Sequence, residues 1–144
     1  MIRDKGRGYS IQGKMTEKIK NFTDLIAWQE GHKLVLMIYK STDKFPKKEV
    51  YSLTNQMRRA AVSITSNIAE GFSRKGKKEK ARFYCIAKGS LTELQNQLII
   101  SKDINYMSKE KFHTIAEQTI QASKLISGLI KSQSPIYSPL HTKP

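Results

Sequence analysis

The chain has 144 residues, which is enough for one domain with a buried core. It has no apolar run of the ~18 residues that a transmembrane helix needs and no secretory signal pattern, so we expect a cytoplasmic protein. Its single cysteine excludes an intramolecular disulfide, and its formal net charge of +14 favours polyanionic partners through counterion release, although a merely soluble basic protein is the plainer interpretation.

Residues 1–21 combine glycines with arginines and lysines and have no sustained apolar period. This composition predicts a flexible basic arm in front of the folded domain.

The first helix is predicted to begin at a cap on Asn21 or Thr23 and to end near Asp43, because Phe45-Pro46 disfavours helical geometry. Apolar residues recur at three-four spacing, and we expect them to face the core: Leu25, Trp28, His32, Val35, Leu36 and Tyr39. On this face, a core or interface role for His32 is favoured over a metal ligand, since no further ligand has suitable spacing.

The second helix is predicted from about Lys48 to Glu70, with Gly71 as its left-handed C-terminal cap. Its core-facing residues are Leu53, Met57, Ala60, Ile64 and Asn67, flanked by Ala61 and Ile68. Beside them, a polar stripe of Ser63, Asn67 and Glu70 has two interpretations: a binding site, or a hydrogen-bonded network that fixes the helix register. The network is favoured.

The third helix is predicted from about Lys77 to Ile104. Gly89 in its middle predicts the close approach of a neighbouring helix, with Ser90 and Glu93 as polar groups near that crossing. Cys85 is expected to be a buried apolar residue. The apolar face is Phe83, Ala87, Ser90, Leu91, Leu94 and Leu98.

The fourth helix is predicted to begin at a cap on Ser108 and to fray at Gly128 and then from Ser132 to Pro135. Its seam has a seven-residue repeat typical of a bundle: Phe112, Ile115, Thr119, Ala122, Ile126 and Leu129. Residues 133–144 contain three prolines from Pro135 onward and are expected to be a disordered tail. Four helices with short turns predict an all-α, antiparallel up-down-up-down four-helix bundle over residues 22–132.

No catalytic constellation stands out, so the sequence indicates a protein that is not an enzyme and needs no cofactor or metal. Glu70 and Glu93 could meet in space, but carboxylates in bundles more often bind arginine, and Arg58 and Arg59 are available. The stretch from Gly71 to Lys78 lacks the residue spacing and the preceding strand of a phosphate-binding loop.

A dense basic cluster follows the second helix and has Glu79 as its one acid: Arg74, Lys75, Lys77, Lys78, Lys80 and Arg82. Its lysines predict contacts with the phosphates of RNA or DNA. Phe72, Phe83 and Tyr84 could stack on bases, although a core position is favoured for them. The alternative function is a protein–protein interaction or scaffolding module whose charge serves solubility.

Several apolar residues lie off or beside the assigned seams: Trp28, Leu34, Ile38, Ile86, Ile99, Ile100 and Ile120. Such an excess favours a homo-oligomer, because large exposed apolar patches mark interfaces. A monomer with scattered surface apolar residues is the alternative.

Three stretches carry a family resemblance, namely FTDLIAWQEGHKL from Phe22, SITSNIAEGFSR from Ser63 and FYCIAKGSLTEL from Phe83. They resemble the bacterial four-helix-bundle proteins encoded by intervening sequences inside 23S ribosomal RNA genes. Those proteins more often have alanine at the position of Gly31. The resemblance implies a small helical bundle that forms a ring, most often a pentamer, and assigns no chemistry to motif residues such as Ser63, Asn67 and Glu70. Distant relatives of this fold are accessory proteins of diversity-generating retroelements, which implies nucleic acid and a reverse transcriptase as candidate partners.

Overall fold

The computed structural model describes residues 18–134 and has four α-helices in this range. They are α1 (Ile26–Thr42), α2 (Leu53–Ser73), α3 (Lys77–Asp103) and α4 (Lys109–Ser132), with 3₁₀ turns at Phe22–Asp24 and Lys47–Glu49. No strand occurs in the described part, so the all-α fold class is confirmed. Most of the predicted arm, residues 1–17, and residues 135–144 of the predicted tail lie outside the described residues.

Contacts between the helices show an antiparallel bundle. The Ser63 hydroxyl lies 2.8 Å from the Ser90 hydroxyl, whereas the earlier residue Met57 meets the later residue Ser101, so α2 and α3 run in opposite directions. Gln95 donates to Thr119 across α3 and α4. The Gln118 amide donates to Glu30, which closes the bundle between α4 and α1.

The core-facing side of α1 differs from the prediction. His32, Leu36 and Tyr39 are exposed, Trp28 and Val35 are half-buried, and the buried residues are Ala27, Gly31, Leu34, Ile38 and Thr42. The prediction was wrong because α1 has two stripes with helical spacing. The stripe with small residues packs inward, since Gly31 lets α2 come close: a Cβ there would lie 3.1 Å from the Thr65 methyl carbon.

The seams of α2 and α4 are confirmed at their centres, where Met57, Ile64, Ile115 and Ile126 are fully buried. On α3, Tyr84 takes the core position expected of Phe83, which is half-buried. Cys85 was expected inside but is exposed, because it follows Tyr84 by one residue and therefore points about 100° away around the helix.

Two predictions about glycines are wrong. Gly71 lies inside α2, which continues to Ser73 and ends at Arg74 in extended geometry (φ −79°, ψ 156°). The space that Gly71 leaves is filled by Tyr84: a Cβ at Gly71 would lie 2.7 Å from a carbon of that ring. At Gly89 a Cβ would meet nothing within 4 Å, so no helix approaches closely there.

The two connections at one end of the bundle are joined by a hydrogen-bonded carboxylate. Phe45 and Tyr106 pack with ring centroids 5.3 Å apart, and the Tyr106 hydroxyl donates to Glu49 at 2.7 Å. Hydrogen bonds from the Ser52 side chain, the Tyr106 hydroxyl and the Leu53 backbone hold the pKa of Glu49 below its ordinary value, and the bond to Glu49 raises the pKa of Tyr106.

These bonds predict a pH-dependent contribution to stability. Because the folded-state pKa of Glu49 is lowered, the contribution is complete above the unfolded-state value of about 4.3 and is lost as pH falls through the lower folded-state value. Glu49→Gln should therefore be less stable than wild type at neutral pH in urea unfolding, and the difference should shrink in acid. Glu117→Gln, which changes an exposed α4 carboxylate, is the control; a Glu49→Gln difference that is independent of pH would contradict the prediction.

Candidate nucleic-acid interface

The predicted basic cluster forms the junction of α2 and α3. Only Arg74, Lys75 and Gly76 lie between the two helices, while Lys77, Lys78, Lys80 and Arg82 belong to the first turns of α3. We call Arg74–Arg82 the basic segment. Its backbone is therefore mostly helical, and it projects from the end of the bundle opposite the Phe45–Tyr106 contact.

The fold itself holds two of the six cations. The guanidinium of Arg74 binds the Glu70 carboxylate at 2.7 Å and lies 4.8 Å from the centroid of the Phe83 ring. The Lys80 ammonium donates to the Phe72 carbonyl oxygen at 2.7 Å, at the C-terminal end of α2, where a cation is favoured. Arg74 and Lys80 therefore join α2 to α3.

The other cations face solvent. Lys75, Lys77 and Lys78 are exposed and form no hydrogen bond or ion pair with residues 18–134. Arg82 is also exposed and lies 5.2 Å from the centroid of the Phe83 ring. Gly76 gives α3 no side-chain cap, so the positive end of the helix is added to these charges.

The aromatic residues of this junction have structural contacts. Tyr84 is 2% exposed, and burial raises the pKa of its hydroxyl. Phe72 and Phe83 are half-buried, and each has a cation of the basic segment over its ring. The favoured interpretation, that these aromatic side chains belong to the packing, agrees with their positions.

The polar stripe of α2 forms a network between α2 and α3. Besides the contact between the Ser63 and Ser90 hydroxyls, the Asn67 amide donates to the Ser63 carbonyl at 2.8 Å and to its hydroxyl at 3.1 Å. These bonds agree with the register-fixing interpretation. Glu70 and Glu93 lie on opposite sides of the Ser63–Ser90 contact, so they are not a carboxylate pair.

Each of the two glutamates has another partner. Glu70 binds Arg74, whereas Glu93 accepts a 3.4 Å bond from Gln97. Arg58, which was considered as a partner for a carboxylate of the stripe, instead binds Thr42 and Asp43. Glu93 and Gly89 are exposed on α3, so these two motif residues do not form a helix crossing.

Residues 18–134 contain no group of three His, Cys, Asp or Glu side chains placed to hold a metal ion. None of the helices described is both long and apolar enough to cross a membrane. His32 lies on α1 and stacks on Trp28, whereas His113 lies on α4 and meets the edge of Phe112. The two histidines therefore do not share a site.

Comparison with known proteins identifies the family. Residues 23–128 match the model of the 23S rRNA-intervening sequence protein family. The chain belongs to this family. A solved structure, described as a protein with unknown function from the S23 ribosomal protein family of Bacteroides thetaiotaomicron VPI-5482, is similar with a TM-score of 0.68 and 18% identity, over 74% of this chain and 96% of that chain. At this identity the similarity supports the fold alone, and no curated protein matches the chain.

Sequence reasoning missed one surface feature of this intervening-sequence family member. Trp28 and His32 stack with ring centroids 4.8 Å apart, and Phe22 meets Trp28 at 5.4 Å in an edge-to-face contact. The i,i+4 spacing of Trp28 and His32 is a signal for such a contact, but in the sequence it equally fits a core-facing side of the helix.

Proposed function

We propose that this protein is a non-catalytic, cytoplasmic accessory factor that binds RNA or DNA through phosphate contacts and acts as a ring of identical subunits. The observation that carries the proposal is the exposed set of Lys75, Lys77 and Lys78, which have no partner within residues 18–134, on a chain of net charge +14. Unpaired exposed cations are the groups that release counterions on binding a polyanion.

The residue types favour phosphates over base edges. Lysine attracts phosphate as a flexible point charge, whereas base-edge readout uses the planar, bidentate guanidinium of arginine. Arg74 is occupied by Glu70, and Lys80 by the Phe72 carbonyl. In this proposal these two side chains position the segment, and the three lysines together with Arg82 contact the nucleic acid.

The topology adds further positive charge to the same end of the bundle. The turn Phe22–Asp24 packs against α2, and the exposed Lys18 and Lys20 precede it. The antiparallel pairing of α3 and α4 brings Lys131, near the end of α4, to the level of the basic segment. Phosphate binding at this end would therefore involve a surface wider than one loop.

Replacement of Lys75, Lys77 and Lys78 by Gln should lower nucleic-acid affinity and reduce the slope of log affinity against log salt by about 3, since each phosphate contact contributes roughly one. The matched control is Lys44, Lys47 and Lys48→Gln, which removes the same charge from exposed positions at the other end. Fluorescence anisotropy over a salt series measures the affinity and its salt slope for the wild type and both variants, and circular dichroism checks that helicity is retained.

Equal slopes for the two triple variants would exclude the basic segment as the contact surface. No salt-dependent binding by the wild type would favour the second candidate, a protein-interaction or scaffolding module. Exposed isoleucines at the end of α3 support that candidate, since Ile99 in the helix and Ile104 directly after it are 48% and 47% exposed. The family resemblance makes a reverse transcriptase the first protein partner to test.

A further inference from the structure

Three aromatic side chains form a small surface at the beginning of α1. The His32 imidazole lies on the Trp28 indole with an interplanar angle of 12°, and the Phe22 ring meets the indole edge-on at 67°. We call Phe22, Trp28 and His32 the aromatic platform. His32 is exposed although one ring face lies on Trp28, so solvent reaches the opposite face.

Hydrogen bonds at the start of α1 hold the platform in place. Asn21 and Asp24 form a capping box around the 3₁₀ turn that carries Phe22, and the Gln29 amide donates to the Thr23 carbonyl at 2.9 Å. These bonds tie the turn to the first residues of α1. Trp28 is half-buried and packs against the bundle core, whereas His32 is exposed and lies outside the buried stripe of α1, which runs through Ala27 and Gly31.

The charges around the platform favour an anionic ligand. Lys18, Lys20 and Lys33 are exposed, and the Asp24 carboxylate is 8% exposed and accepts the Lys20 and Asn21 backbone N–H groups. Glu30 is bonded to Gln118 on the opposite flank of α1. No other acid lies between Lys18 and Lys33.

The platform and the basic segment are at the same end of the bundle. Gly31 packs against Thr65, and α1 and α2 are antiparallel, so residues before Gly31 lie beside residues after Thr65. At 1.5 Å per helical residue, Arg74 is roughly 13 Å along the axis from the level of Gly31. A short nucleic-acid segment can therefore contact both surfaces.

We infer that the aromatic platform stacks an unpaired base, so that the nucleic acid bound at this end is single-stranded. The inference rests on the proposed function, because the basic segment supplies the phosphate contacts. A duplex hides its base faces, whereas a single strand offers them to an aromatic or imidazole ring. The exposed lysines beside the platform favour an anionic strand as its occupant, whereas the outer side of α3, with Ile99 and Ile100 exposed, is the surface that favours contact between copies.

Affinity for a single strand of about 16 nucleotides and for the duplex of the same sequence tests the inference at one salt concentration. His32→Ala should weaken single-strand binding about fivefold or more and leave duplex binding unchanged. His32→Phe keeps an aromatic ring and should restore single-strand binding. His113→Ala is the matched control, since His113 is also exposed beside an aromatic ring, on α4 at the far end.

Trp28 is the one tryptophan of the chain, so its emission reports on the platform directly. The single strand should quench this emission, whereas inorganic polyphosphate, which has charge but no bases, should bind without quenching. Equal loss of single-strand and duplex binding in His32→Ala, or absence of quenching while the wild type binds, would overturn the inference and leave the proposed function intact. A lower light-scattering mass for His32→Ala would assign the platform to a contact between copies and would also overturn it.

Discussion

Gly71→Leu is expected to destabilise the bundle by about 1–3 kcal/mol or more, because the new side chain would overlap the Tyr84 ring. A Cβ at Gly71 would already lie 2.7 and 2.9 Å from two carbons of that ring and 3.0 Å from the Phe83 Cβ. Tyr84 is 2% exposed and cannot move outward without opening the contact between α2 and α3. The midpoint of urea unfolding, followed by circular dichroism, measures the effect.

Gly89→Ala is the matched control. Gly89 also lies inside a helix, but its Cβ would meet nothing within 4 Å, so alanine should stabilise the protein by up to ~1 kcal/mol through helix propensity. Gly71→Leu with wild-type stability would show that the Tyr84 ring does not occupy the space beside Gly71. A strongly destabilised Gly89→Ala would instead indicate that a neighbouring helix packs closely against Gly89, as the sequence suggested.

Periodicity predicted the helices and most of the core, but it could not choose a face for α1. The residues Leu34 and Ile38 seemed surplus in the sequence and are fully buried, whereas Leu36 is 57% exposed. Both stripes of α1 satisfy helical spacing, and the one with Trp28 and Tyr39 contains the larger aromatic side chains. The choice depends on how closely α2 approaches, which is a tertiary property.

The two glycines were misjudged for the same reason. A glycine at a predicted helix end suggests a cap, and a glycine in mid-helix suggests a crossing. Gly71 in fact accommodates Tyr84, which is thirteen residues later in the chain, and Gly89 faces open space. Sequence position does not reveal which neighbour a missing side chain makes room for.

The composition of the basic segment was evident from the sequence, but the division of its cations was not. The pairing of Arg74 with Glu70 has helical i,i+4 spacing and is accessible to sequence reasoning. The contact of Lys80 with the Phe72 carbonyl depends on how the chain turns between α2 and α3. Only that geometry shows that Lys75, Lys77 and Lys78 are the exposed lysines with no partner within residues 18–134.

Self-association is the prediction with the most visible outcome, and the surface that supports it is the outer side of α3. Ile86 and Ile100 of α3 are 43% and 40% exposed, and Ile104, directly after the helix, is 47% exposed. Between Gly89 and Ser101 the chain has one charged residue, Glu93, although 26% of all residues are charged. Exposed isoleucines on a helix segment with few charges, in a strongly basic protein, are typical of an interface.

We expect light scattering at micromolar concentration to give a multiple of the 16.5 kDa chain mass, and five copies if the ring that the family resemblance implies is formed. Ile100→Lys should reduce the mass to one chain while helicity is retained, because it buries a charge in the interface. Tyr51→Lys, at a side chain 91% exposed in the connection between α1 and α2, should leave the mass unchanged. A ring places several basic segments side by side, so Ile100→Lys should also weaken nucleic-acid binding through lost avidity. A wild-type mass of one chain would refute both the ring and the avidity that depends on it.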